Sequence, residues 1–438
     1  MIIGGNRVGR FPGLEGMDKG RMMEEKRIVV VGGGASGLVA AIVAARLGAP
    51  VLVIERMQRV GKKILATGNG RCNLANRFLS LDRYHSSDRG FVERVLGRFG
   101  LEQTLDFFRE LGVETREEED GKLFPLCGQA SSVLDVLRYE LDRLGVETLC
   151  DVRVQSVEAG SRGLSCVCTD GQILPCGRVI VATGGKSSPN LGSNGGGYKI
   201  AQGLGHRVVE PFPALVPIHL NAPFLKRLSG LKVEGGVCAR VRGESRRTEA
   251  GELLFTDYGI SGPPILQVSR LFSQAAICGW EAAVELDLFP RWSEVDLAER
   301  LARRFQEQAG KPLEFSFVGF LHKRLVPVVL KESGIESKGP CERLEPAAVK
   351  RLAALLKGWK IPVTGTESWM HSQVTAGGVE LSEVEADTLE SRLARGVYFA
   401  GEALDVDGDC GGFNLQWAWS SGQVAGTAAA RSVLSNSL

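Results

Sequence analysis

The chain has 438 residues, 44% of them hydrophobic and 24% charged, with a formal net charge of +2. At roughly 100–200 residues per domain this implies two or three domains, and the balance excludes both a largely disordered chain and a strongly basic nucleic-acid binder. The longest apolar run, Leu38–Ala45, stops at Arg46, far short of the ~20 residues of a membrane-spanning helix; a cytoplasmic protein with no membrane or nucleic-acid partner is expected.

Residues 1–24 contain no apolar core of signal-peptide length and read as a flexible tail, with Met22 and Met23 as alternative starts. Arg27–Val31 is a short β-branched run that predicts a strand. It leads into Gly32-Gly-Gly-Ala-Ser-Gly37, an Ala-rich helical stretch to Leu47 and a second strand, Val51–Ile54, ending at Glu55. This is strand, G-x-G-x-x-G turn, helix, strand. Gly32 permits the tight turn, Gly34 lets a diphosphate approach the backbone, and Gly37 lets the helix pack on the strand. The amides of Ala35 and Ser36 open a helix whose positive end faces that anion. Glu55 stands where a carboxylate accepts hydrogen bonds from an adenosine ribose, with Arg56 beside it.

The 56 glycines are nearly twice the usual ~7%, and much of the excess lies in clusters farther along. Lys62 and Lys63 follow the second strand closely enough to offset phosphate charge, the alternative being a solvated basic turn. Gly68-Asn-Gly70, Arg71 and Asn73 form a dense glycine-polar block. Val154 is counted with the cofactor contacts. Arg178–Ala182 predicts another buried strand, ending in Thr183-Gly184-Gly185, and Gly195–Ala201 resembles a further glycine-rich helix start. The latter leaves open a second pyrophosphate site for NAD, although no complete second strand-helix-strand unit surrounds it.

Near the C-terminus, Gly396–Ala400 predicts a strand. It is followed by Gly401-Glu402, a turn through Gly411-Gly412 and a helix from about Asn414 to Arg431. Such a returning segment favours FAD over NAD: Glu402 is placed for ribityl hydroxyls, and the amides of Gly412, Phe413, Asn414 and Leu415 sit at a helix start that stabilises negative charge on reduced flavin.

Four blocks make a resemblance: Gly61–Asn73 (GKKILATGNGRCN), Leu253–Pro263 (LLFTDYGISGP), Val374–Val379 (VTAGGV) and Gly401–Gln416 (GEALDVDGDCGGFNLQ). They resemble, in order and over nearly the whole chain after residue 25, the BaiN-type, aminoacetone-oxidase-like family of bacterial FAD-binding flavoproteins. The resemblance implies non-covalent FAD and an α/β, Rossmann-like, discontinuous FAD-binding domain carrying an inserted domain with β-rich and helical parts. The domains are then placed at 25–208 with 366–438, and at 209–365 for the insert. Strands are expected at Leu215–Leu220 and Val237–Val241, helical stretches at Val295–Gln308 and Pro346–Lys357, and a substrate pocket by default between insert and FAD domain.

The sequence leaves the catalytic group unknown; Arg71 and Asp257 are candidates, each with a structural alternative. Part of the family carries His at the place of Asp257, so a proton-transfer role there would change in charge and pKa. Ser261 is expected to cap a helix started by Pro263 and Pro264. Thr375, Gly377 and Gly378 are placed near the flavin ring, with an ordinary turn as competitor. His371 reads as a satisfied core residue, with a pocket-facing residue as the alternative, and Cys72 as packing, with a nucleophile as the alternative. The ten cysteines include no C-x-x-C pair, and Asp405, Asp407 and Asp409 lack the rest of a calcium loop, so no metal is expected. The function expected is hydride transfer between flavin N5 and a small organic molecule, with NAD(P)H as a transient reductant. The alternatives are an amine oxidase using dioxygen and a non-catalytic flavin-bearing module that binds RNA or protein. Arg240, Arg242, Arg246 and Arg247 would support the module, against a solvated hairpin. Substrate and oligomeric state stay open.

Overall fold

The computed structural model describes residues 27–160, 163–336 and 339–435; the tail expected over 1–24 lies outside them. The chain divides into two compact units, one reaching Pro211 and resuming at Gly377, the other Phe212–Ala376. The return to the first unit thus falls later than the expected residue 366. Trp359–Thr366 is a strand of the second unit, paired with Ala282–Asp287 and Ile218–Leu220, and Gln373 N still donates to Leu215 O.

The first unit centres on a parallel sheet in the order Val397–Phe399, Arg178–Val181, Ile28–Val31, Val51–Ile54, Glu147–Leu149. Its inner strands are apolar, mostly β-branched runs because both faces are covered, as parallel sheets require; Ile28, Val29, Val30, Val179 and Ile180 are fully buried. The helix Ala35–Arg46 follows the first strand. Across it lies the 23-residue helix Phe413–Ser435. Their backbones nearly touch: a β-carbon at Gly422 would fall 2.4 Å from Ser36 O, and one at Gly426 2.5 Å from Ala40 O. Trp419 Nε1 donates to Leu74 O and Gln416 Nε2 to Thr104 Oγ1, so these two buried donors have specific partners.

The second unit is a closed six-stranded barrel, in the order Ile218–Leu220, Gly259–Ser261, Glu244–Phe255, Lys232–Val241, Ala282–Asp287, Trp359–Thr366. Its core includes Phe255, Ile260, Leu286 and Trp359. The expected strand from Leu215 is shorter, since Leu215 takes φ 49°. The helix Glu294–Glu307 opens with a capping box of Ser293 and Asp296, and Pro346–Lys357 is helical. The helix Pro263–Cys278 is not capped by Ser261, which ends a strand. Gly262 precedes it instead, at φ 110°, where a β-carbon would meet Glu252 O at 2.2 Å.

Candidate nucleotide site

The first strand leaves the sheet through Gly32, whose N–H donates to Ile54 O. A β-carbon at Gly32 would fall 2.5 Å from Ala182 O, and one at Gly37 only 1.9 Å from Gly32 O. Strand, turn and helix therefore close on one another without side chains. Gly34 is the contrast: nothing lies within 4 Å of its missing β-carbon, and it starts the helix with no side-chain cap. That leaves backbone N–H groups of Ala35 and Ser36 at an open helix start, the arrangement that binds a diphosphate.

Glu55 is buried beside this turn. Its Oε2 accepts from Gly33 N and its Oε1 from Met57 N, both at 2.8 Å. Burial raises its pKa, and the two backbone donors oppose that only in part. A solvent-open cleft with about 430 Å³ of empty space is lined by Gly32, Glu55, Arg56, Val154, Thr183 and Gly192. Arg56 donates to Gly192 O at 3.3 Å, and Gly184 takes φ 69° in the turn after Thr183.

The block after the second strand closes on the same turn, Gly61 N donating to Gly33 O at 2.7 Å. Gly68, Asn69 and Gly70 all take positive φ. Asn73 Oδ1 is buried and accepts no hydrogen bond from the described residues. Lys62 is exposed, whereas Lys63 Nζ lies 3.0 Å from Glu402 Oε2. Arg71 is bonded to Glu118 and stacks 4.1 Å over Phe124. Cys72 is buried, its thiol pushed up to about 12 by burial, which suits packing and not nucleophilic attack.

The C-terminal segment returns to this place. A β-carbon at Gly401 would meet Ser36 Oγ at 2.5 Å, and Trp417 Nε1 donates to Gly401 O. Gly412 backs onto Ala75 O, Asn76 Nδ2 donates to Gly411 O, and Asn414 bonds Gly408 N through Oδ1. Leu415 is partly buried against the core. Gly377 and Gly378 abut the Glu210 and Leu404 backbones. The residues fit a dinucleotide: an open helix start at Gly34, a carboxylate lining the cleft, an orphaned amide oxygen at Asn73, and a second helix start at Gly412. Among the described residues no group of three His, Cys, Asp or Glu could hold a metal, and no helix is long and apolar enough to cross a membrane. Among the described residues no disulfide joins any two cysteines.

In the second unit Asp257 is exposed and the neighbouring Tyr258 ring packs 5.0 Å from His219. Glu367 lies between two histidines, 3.3 Å from His219 Nε2 and 3.1 Å from His371 Nδ1. His371 is thus no core residue; its side chain is 64% exposed. Sequence reasoning misses His219 and Glu367, because barrel closure joins strands distant in sequence and neither residue stands in a motif. Arg240, Arg246 and Arg247 are paired with Glu285, Glu244 and Glu249, and Arg242 lies over Trp280, so that cluster is largely self-neutralised.

The model of the HI0933-like protein Rossmann domain matches residues 26–428. The chain belongs to this family. It is an FAD-dependent oxidoreductase of the HI0933-like type, in keeping with the site above. A curated relative, the 3-dehydro-bile acid delta(4,6)-reductase of Clostridium scindens, is 40% identical over 92% of this chain and 99% of its own length. A ribosomal RNA dihydrouridine synthase of Haemophilus influenzae is 33% identical over 88% of this chain and 94% of its own. Among solved structures, the 3-ketosteroid delta1-dehydrogenase of Sterolibacterium denitrificans matches this HI0933-like chain with a TM-score of 0.50 and 14% identity, over 93% of this chain and 100% of that one. This last likeness concerns the fold.

Proposed function

We propose that this flavoprotein is an NAD(P)H-linked reductase that saturates a carbon–carbon double bond conjugated to a carbonyl group in a small molecule. The observation that carries the reading is the 40% identity to a bile-acid reductase along 99% of that relative. The dihydrouridine synthase supports the same bond type, since forming dihydrouridine also adds two hydrogens across a double bond conjugated to a carbonyl.

FAD supplies the two-electron hydride chemistry when bound. In this reading the chain supplies the rest. The amides at Ala35 and Ser36 would hold the diphosphate and Glu55 the ribose. Lys63 and Glu402, 3.0 Å apart, would meet the middle of the cofactor. The helix start at Gly412–Asn414 would stabilise negative charge at the ring. The small-molecule acceptor is preferred to RNA because the net charge is only +2 and the arginine cluster of the barrel hairpin is paired with glutamates. RNA uridine is the second reading, favoured by the synthase relative.

The test is anaerobic reduction of the holoprotein by NADH or NADPH, followed at the flavin absorbance, then reoxidation by a 3-oxo-4,6-diene steroid or by uridine-containing RNA. Bleaching by NAD(P)H and recovery with the dienone are expected. Recovery only with RNA moves the acceptor to the second reading. Bleaching by amines alone, with peroxide on aeration, replaces the reductase by an oxidase, and no bleaching by any donor leaves a non-catalytic flavin module.

A further inference from the structure

Ahead of the Gly411–Gly412 turn the chain buries a charge. The Asp409 side chain is 3% exposed, and removing a carboxylate from water is costly unless partners compensate. Its partners come from a distant segment: Oδ1 lies 3.1 Å from His85 Nε2 and Oδ2 3.4 Å from Arg83 Nη1. The backbone is tied in the same place. Asp409 N donates to Arg83 O, and Asn414 Nδ2 donates to Asp409 O. Val406–Gly408 pairs antiparallel with Tyr84–Ser86, Asp407 facing His85, while Tyr84 Oη donates to Phe413 O. One short ladder thus fixes the turn that starts the 23-residue C-terminal helix, and a carboxylate, an arginine and a histidine are set against it.

A hydrogen-bonded turn needs no buried ion pair, and the same backbone bonds would form around an uncharged residue. What the charges add is a fixed field at the helix start, where partial positive charge is already concentrated. We propose that Asp409, with Arg83 and His85, is an electrostatic positioning site that sets the reduction potential of the flavin through the Gly411–Asn414 turn. The inference rests on the reading above that this turn faces the flavin ring. Asp409 offsets part of the positive field, and Arg83 restores it.

The charges make opposite demands, which gives the test its sign. Asp409→Asn removes the carboxylate paired with Arg83 and should make the potential more positive; Arg83→Gln should make it more negative. Each should change the reduced-to-oxidised ratio at a fixed dye potential by on the order of tenfold, as for a unit charge at intermediate distance in a protein. The measurement is dye-coupled reduction of each holoprotein at one pH, with FAD affinity and thermal midpoint recorded alongside. Glu140→Gln, which removes a carboxylate paired with Arg46 and Arg143, serves as the remote charge control and should leave the potential unchanged. A positive shift in Asp409→Asn with a negative one in Arg83→Gln supports the proposal, and the reverse pair overturns it. Unchanged potentials, or shifts of one sign in both variants, overturn it, since loosening the turn would move both alike. Should Asp409→Asn fail to retain FAD, Arg83→Gln decides: Arg83 is 45% exposed, and a negative shift supports the proposal while none overturns it. The readout uses neither NAD(P)H nor an acceptor, so a failed reductase assay leaves it standing.

Discussion

Glu55 does two things at once: it closes the turn around Gly33 and faces the cleft. Each oxygen already accepts one backbone hydrogen bond, and a carboxylate has lone pairs left for ribose hydroxyls. Glu55→Gln puts an amide donor against one of the two backbone N–H groups, so a charge-assisted bond worth about 1.5–3 kcal/mol is lost. FAD affinity should fall by about tenfold or more, read by equilibrium ultrafiltration of the flavin; an unchanged affinity would remove Glu55 from the site. His206 gives a different residue-scale prediction. Its ring is buried against Phe399 and bonded to Ser391 Oγ. Burial lowers its pKa below the ordinary 6.5 despite Glu383 nearby. A base whose folded pKa is depressed contributes stability in full above 6.5, and loses it as acid protonates the unfolded chain first. The thermal midpoint should therefore drop from about pH 7 towards about pH 5.5, and His206→Gln should lack that part of the drop. Glu383 does not confuse the reading. Burial alone would raise its carboxyl, but Arg207 overcomes this and holds it below 4.5, so its contribution fades only at lower pH.

At the scale of elements, the crossing of Ala35–Arg46 with Phe413–Ser435 depends on absent side chains. Gly426→Ala puts a methyl 2.5 Å from Ala40 O, an overpacking that costs about 1–3 kcal/mol and should lower the thermal midpoint by several degrees. Gly97→Ala is the matched contrast: it lies in the helix Arg89–Arg98 with nothing within 4 Å of its missing β-carbon. It should stabilise by about 0.4–1 kcal/mol. Differential scanning calorimetry of both variants checks the pair. The crossing also shows what a sequence can disclose. The β-branched runs at Ile28–Val31, Val51–Ile54 and Arg178–Val181 announce buried parallel strands, and the Gly32–Gly37 spacing announces the turn, because those signals are local. Ser261 misleads because a hydroxyl before two prolines looks like a cap, while the constraint lies in the close approach of Gly262 to Glu252. Glu367 and His371 stand four residues apart, but the meeting of Glu367 with His219 has no local signal at all, and neither has the meeting of Asp409 with Arg83 and His85.

For the molecule as a whole, the first unit is assembled from both ends of the chain. The N-terminal part carries the turn at Gly32–Gly37 and every strand of the central sheet but one. The C-terminal part adds Val397–Phe399 beside Arg178–Val181, the Gly401 contact with Ser36, and the helix that covers Ala40 and buries Trp417 and Trp419. A chain ending at Ala376 keeps the complete G-x-G-x-x-G motif yet loses one edge of its sheet and one face of its core. Sequence motifs alone would let it bind the adenosine half; the packing says that the helix start at Gly34 is not held without Gly401 and Gly422 against Ser36. The truncated chain should therefore be colourless after dialysis against FAD, and excess FAD should not raise its thermal midpoint. The full chain should gain about 2.7 kcal/mol at a hundredfold excess over Kd. Co-expression of residues 377–435 as a separate polypeptide should restore yellow colour, because the missing contacts are non-covalent. Retention of FAD by the truncated chain at full-chain affinity would show that the cofactor needs only the front of the sequence.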